Sequence, residues 1–287
     1  MNKKLLAATV LAALTLSTAS VFAAAPAFSG DTRVEYVNND EDTSLTSRFR
    51  LNVDTSIDEV FNVHARFTTG DYDLRNGQES VDGSLDQAYI GATVKDTEFR
   101  VGRQSLWAGK GMLMDGDSFN GAQVGIADKD ISLGGFFGKA ANGDKTTLAE
   151  VDSAWGNVNV GANYLKLADT DYYGLNFDTK VMDNAVLNVE YVNNTSDKAD
   201  GYIAEVKVGE AIRKGEFDYA LSYRNVEYGS VSDYSTDTQF NDSKGFRIEA
   251  NYKVTNNATL NVKQDIAKDH SGDTDKDHTD VTFTVNF

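Results

Sequence analysis

From Val34 to the last residue, stripes of apolar side chains at every second position recur between polar connections, and no segment of this stretch shows a helical period. Period 2 is the repeat of a strand whose two faces meet different surroundings. Phe49, Leu51 and Val53 alternate with Arg48, Arg50 and Asn52. Phe61, Val63, Ala65 and Phe67 alternate with Asn62, His64 and Arg66. Phe217, Tyr219, Leu221 and Tyr223 alternate with Asp218, Ala220 and Ser222, and Phe246, Ile248, Ala250 and Tyr252 with Arg247, Glu249 and Asn251. The final stripe is Val281, Phe283, Val285 and Phe287 against Thr282, Thr284 and Asn286. Pattern counting gives about 16 strands, with about 14 or 12 as the alternatives.

The first residues read as an export leader. Lys3 and Lys4 precede the uncharged apolar stretch Leu5 to Ala19, and Val21-Phe22-Ala23 offers a small-residue cleavage site. Residues 1–23 are therefore expected to be a signal peptide and 24–287 one mature domain. No later run approaches the roughly 20 apolar residues of a spanning helix. There are no cysteines, so disulfides and thiol chemistry are excluded. The one proline, Pro26, lies beside the cleavage region, which leaves the strands uninterrupted. The net charge of −17 becomes −19 once Lys3 and Lys4 leave with the leader. Such a charge excludes nucleic acid as a natural partner and creates a field that attracts cations.

Tight connections alternate with long ones. Residues 54–58, 95–97, 127–129, 155–157 and 254–257 are short, whereas 70–83, 104–119, 193–200, 226–243 and 265–279 are long and polar. Short turns on one rim and long loops on the other describe a transmembrane antiparallel up-and-down β-barrel, with both termini on the short-turn rim. The competing all-β reading is a soluble sandwich or solenoid. The strand number, the aromatics near strand ends (Tyr36, Phe67, Tyr164, Tyr191, Tyr223, Tyr252, Phe287) and the apolar terminal strand favour the barrel.

At residues 86–104 the sequence becomes more specific. Asp86-Gln87-Ala88-Tyr89-Ile90-Gly91-Ala92, a tight turn, and Phe99-Arg100-Val101-Gly102-Arg103-Gln104 follow one another. This resembles the general diffusion porins of Gram-negative bacteria, in which Ala-aromatic-aliphatic-Gly precedes a hairpin and a strand ending Gly-Arg-polar. The resemblance implies a 16-stranded barrel, usually a homotrimer, whose third external loop folds into the lumen. That loop would be Ser105 to Asn120. It further implies that Arg103 belongs to a basic wall, that Asp115 and Asp117 are the loop acids facing it, and that Phe287 is the signal read by the barrel-insertion machinery. The chain is shorter than typical members, so its loops are trimmed.

Residue parity leads to a similar place. If the apolar stripes face lipid, Arg33, Glu35, Arg48, Arg50, His64 and Arg66 face the lumen from the first three strands, and Arg100 joins them from a later one. Tyr89 is the main aromatic on that side. A hydrated lumen tolerates such charges, and charged rings set ion selectivity. The expectation is an outer-membrane channel for ions and small hydrophilic solutes with a modest cation preference, set in outer-membrane lipid and lipopolysaccharide. A substrate-specific channel or a non-conducting structural or adhesin barrel are the rivals. No enzyme is expected: His64, His270 and His278 are the only histidines, and no Ser-His-Asp arrangement can be drawn from them. No cofactor and no metal are expected either. The acidic run Asp269 to Asp280 lacks the calcium-loop spacing and reads as a solvated loop.

Overall fold

The computed structural model of the chain describes residues 24–39, 42–75 and 82–287. The expected leader, 1–23, lies outside the described residues. The strands are β1 (Ala27–Asn39), β2 (Thr43–Ser56), β3 (Phe61–Thr68), β4 (Tyr72–Asp73), β5 (Ser84–Val94) and β6 (Thr97–Ala108). They continue as β7 (Met114–Asp128), β8 (Ile131–Lys139), β9 (Lys145–Trp155), β10 (Val158–Leu167), β11 (Thr170–Met182) and β12 (Ala185–Asn194). The last are β13 (Ala199–Gly209), β14 (Phe217–Val226), β15 (Ser243–Thr255), β16 (Ala258–Asp269) and β17 (His278–Asn286).

All are antiparallel to their neighbours. The short β4 pairs with the outer end of β2, and the other 16 strands form a ring that closes where β1 pairs with β17. In that closing ladder Val34 stands opposite Phe283 and Tyr36 opposite Val281. Phe287 extends it: its N–H donates to the Gly30 carbonyl (3.0 Å), and the Gly30 N–H donates back to Phe287 (2.9 Å). A closed ring leaves no edge strand with unpaired backbone groups, which is the condition for a sheet in lipid.

The two faces invert the soluble pattern. Large apolar side chains lie on the outside, including Phe99, Val101, Phe137, Trp155, Leu175, Leu221 and Ile248. In water each would forfeit about 1.5–3 kcal/mol of burial; in a bilayer the same surface is satisfied. Tyr164, Tyr173, Tyr191, Tyr202, Tyr223 and Phe246 form a belt over six consecutive strands, β10 to β15, with several neighbouring rings 5.2–6.1 Å apart. Such a belt marks a membrane interface.

The connections at the terminus-bearing rim are tight, as their composition predicts. Gly156 takes φ +64° between β9 and β10. Between β2 and β3 the Asp58 carboxylate accepts the N–H groups of Val60 (2.8 Å) and Phe61 (2.7 Å). These bonds hold its carboxyl below the ordinary carboxylate range. On the opposite rim two expected loops are shorter than the sequence suggested. Residues 193–200 are mostly strand, turning at 195–198. The expected loop Ser105 to Asn120 is mostly a continuation of β6 and β7 and turns only at 109–113.

Candidate pore constriction

The β6–β7 hairpin leaves the wall at a bend. The register slips between Gln104 and Leu106, and Ser118 opposite this slip takes φ +72°. Beyond the bend the hairpin is amphipathic. Leu106, Ala108, Met112, Leu113, Met114 and Phe119 are buried, whereas Trp107, Asp115 and Asp117 are exposed. Its tip lies on the far wall, against β11 to β13. The buried Glu190 carboxylate of β12 accepts the N–H groups of Met112 (3.0 Å) and Leu113 (3.3 Å). Lys110 pairs with Asp178 of β11. Gly201 of β13 makes room for the tip: a Cβ there would stand 2.5 Å from Met112 Cε. The third external loop is thus folded into the lumen, as a strand-paired hairpin held at root and tip.

The arginines expected on the wall divide into groups. Arg33, Arg48, Arg50 and Arg66 cluster on the inward rows of β1, β2 and β3. Arg33 stands directly opposite Arg48 across the β1–β2 ladder. Arg33 Nη2 lies 3.1 Å from both Glu35 and Asp71, and Arg50 Nε 2.8 Å from Asp31. Arg66 is bonded twice. Its guanidinium meets Asp86 of β5 (Nη2–Oδ2 2.7 Å, Nε–Oδ1 3.0 Å) and Asp117 of the hairpin (2.7 Å). Gln87 adds a bond to Asp117 at 3.2 Å. Among the described residues Arg48 forms no ion pair, and its Nε has no hydrogen-bond partner. Asp115 shares the exposed face of the hairpin with Asp117 and forms no ion pair among the described residues.

Arg100, Tyr89 and His64 make a separate stack closer to the terminus-bearing rim. The Arg100 guanidinium lies 5.5 Å from the Tyr89 ring centre, whose ring stacks on His64 at 4.9 Å. His64 Nδ1 donates to Asp54 (2.7 Å) and Arg100 pairs with Glu98 (2.7 Å). Arg103 stands opposite Ala88 and Asn120 in the two ladders. It follows Gly102, whose φ of +137° interrupts the strand conformation, and it is half-buried with its Nε covered.

Three features escaped the sequence reading. One is Asp86, which braces Arg66. Another is Glu190, whose place in an ordinary alternation gives no sign that a distant hairpin will seek its oxygens. The third is the opposite wall: Glu150 and Asp152 on β9 and Glu205 on β13 point inward and form no ion pair among the described residues. Counted round the ring without β4, β2 and β11 stand eight places apart, half of the circuit. The arginine cluster therefore faces an acidic wall, with the hairpin between them.

A closed barrel with an apolar exterior, a charged interior and an inward hairpin that narrows it is a membrane β-barrel channel. The sequence matches the Gram-negative porin family over residues 7–287, and the chain belongs to that family. It is a porin of the outer membrane. Its fold is shared by a variant of the Rh. blastica porin, with a TM-score of 0.68 at 13% identity over 92% of this chain and 100% of that one. Salmonella typhi OmpF, solved with daunomycin, gives a TM-score of 0.66 at 13% identity, covering 91% of this chain and 97% of that one. No curated protein matches the chain by sequence.

Proposed function

We propose that this porin is a general diffusion pore for ions and small hydrophilic solutes, with a modest preference for cations. The observation that carries the reading is the uncompensated acidity of the lumen. Arg33, Arg50 and Arg66 are each matched by wall or hairpin carboxylates, whereas Glu150, Glu205 and Asp115 form no ion pair among the described residues. The net charge, −17 with the leader and −19 without it, acts in the same direction over the whole molecule. Arg48 and its neighbours against the acidic side give a field across the passage, which orients dipolar solutes without selecting one of them. A bilayer reversal potential in a salt gradient tests the preference.

The remaining assignments belong to the same proposal. Phe287, hydrogen-bonded into the closing seam, serves as the assembly signal for the barrel-insertion machinery. The leader is cleaved after Ala23. The pore is a homotrimer among outer-membrane lipid and lipopolysaccharide. The aromatic belt covers β10 to β15, while the outward rows of β5 to β7 carry the small or polar Ala88, Ala92, Ala122 and Asn120, which favours a protein neighbour on that side. Chemical cross-linking in outer-membrane vesicles, with a ladder ending at the trimer, is the check.

A further inference from the structure

The loop between β14 and β15, residues 227–242, does not stand out from the external rim. It folds inward and lies on the hairpin. The Asp115 N–H donates to the Tyr234 carbonyl (2.6 Å), the Thr236 N–H to Gly111 (3.0 Å) and Ser232 Oγ to Leu113 (3.1 Å). The Tyr234 ring packs on Phe119 at 4.9 Å. Val231 and Phe240 from the loop join Met112, Leu113, Val192, Ile203 and Val226 in one buried apolar cluster. An apolar core inside a hydrated lumen has no other means of escaping water than this mutual contact of two loops and a wall.

The other side of the loop is fastened by charge. Asp237, 1% exposed, accepts from Arg224 Nε at 2.6 Å and lies 3.7 Å from Arg247 Nη1. Arg247 also grips Asp265 of β16 with two bonds, 2.6 and 2.8 Å. The Phe240 ring lies 5.6 Å from the Arg224 guanidinium and 5.3 Å from that of Arg247. Both arginines stand on inward rows of the wall, and Asp237 is the loop's own counter-charge to them. Removing one partner of a buried ion pair leaves the other uncompensated, so Asp237 is the seat of the loop.

We propose that loop 227–242 is a second constriction element, fused to the hairpin and locked by Asp237, so that two loops together set the width of the passage. They fill the lumen beside β12 to β14 and leave the conducting path on the side of β1 to β3, where Arg48 stands. This rests on the lumen being the conducting path. Its test compares the parent porin with Asp237→Asn and with a variant whose residues 230–239 are replaced by a short Gly-Ser turn, each in planar bilayers. The expected result is a unitary conductance about twofold larger in the shortened variant, since a narrow segment dominates resistance, and added open-channel noise in Asp237→Asn. Unchanged conductance and noise in both variants, with heat-modifiable mobility retained, would overturn the proposal. A second measurement does not depend on conduction or on those variants folding. The chain lacks cysteine, and Ser235 in the loop is 8% exposed whereas Ser271 lies exposed in the next external loop. Ser235→Cys is expected to react with a membrane-impermeant maleimide about tenfold more slowly than Ser271→Cys, reaction at a seated loop requiring local opening. Equal rates would overturn the seated loop. A parent protein that conducts nothing would instead contradict the pore reading, and the labelling contrast would still decide the loop.

Discussion

Arg66 on β3 and Asp117 on the inward hairpin lie 2.7 Å apart, so the element that narrows the lumen is tied by charge to the wall it faces. Arg66 keeps a second carboxylate, Asp86, if Asp117 is neutralised. The Asp115→Asn, Asp117→Asn double variant is therefore expected to fold, with a stability change of at most about 1 kcal/mol for a partly exposed pair. Its reversal potential should move toward weaker cation preference. Unchanged selectivity in that variant would show that the hairpin acids do not line the passage.

Arg48 stands opposite Arg33 and forms no ion pair among the described residues. Like charges facing each other across a ladder are destabilising. Arg48→Gln is expected to leave the urea midpoint of the detergent-solubilised barrel unchanged or slightly raised, while strengthening cation preference. A clear loss of stability would mean that Arg48 braces the wall.

Glu190 holds the tip of the hairpin by accepting two of its N–H groups. Replacing it with alanine strands those donors in a buried place, at about 1–3 kcal/mol each. The barrel ladder itself does not pass through this carboxylate. Glu190→Ala should therefore retain heat-modifiable mobility but show rapid current fluctuations and proteolytic cleavage near residues 109–113. A quiet, protease-resistant channel would contradict the role assigned to Glu190.

At the seam the Phe287 ring lies over Gly30 and stacks on Phe49 at 5.7 Å. A Cβ at Gly30 would stand 2.2 Å from the Arg50 carbonyl oxygen and 2.7 Å from the ring. Backbone cannot yield that far. Gly30→Ala is expected to lower the yield of folded barrel sharply in refolding into detergent, read as loss of the fast-migrating band on unheated gels. A normal yield would show that the seam closes in another register.

Much of this architecture is legible in the sequence because strand parity is a local rule. Arg33, Arg48, Arg50 and Arg66 face inward as their alternation with Val34, Phe49, Leu51 and Phe67 requires. The same rule stops where the chain bends. Ser105 to Asn120 reads as a loop because Gly109, Gly111 and Gly116 break its alternation, yet most of it is paired strand whose apolar face is covered inside the barrel. Arg103 shows the limit from the other side: it follows Gly102, whose φ of +137° lies outside the strand region, so alternation alone does not set its direction. Glu190, Asp86 and Asp237 stayed hidden because their partners lie about 78, 20 and 13 residues away in sequence, and a periodic pattern carries no information about such pairings.

The most direct test of the account is the zero-current potential of the purified protein in a planar bilayer under a tenfold KCl gradient. The acidic lumen and the net negative charge predict a measurable conductance and a potential of the sign that reports potassium passing more readily than chloride, diminishing as the salt concentration on both sides is raised. A potential of the opposite sign would contradict the cation preference, and the absence of conductance would contradict the pore itself.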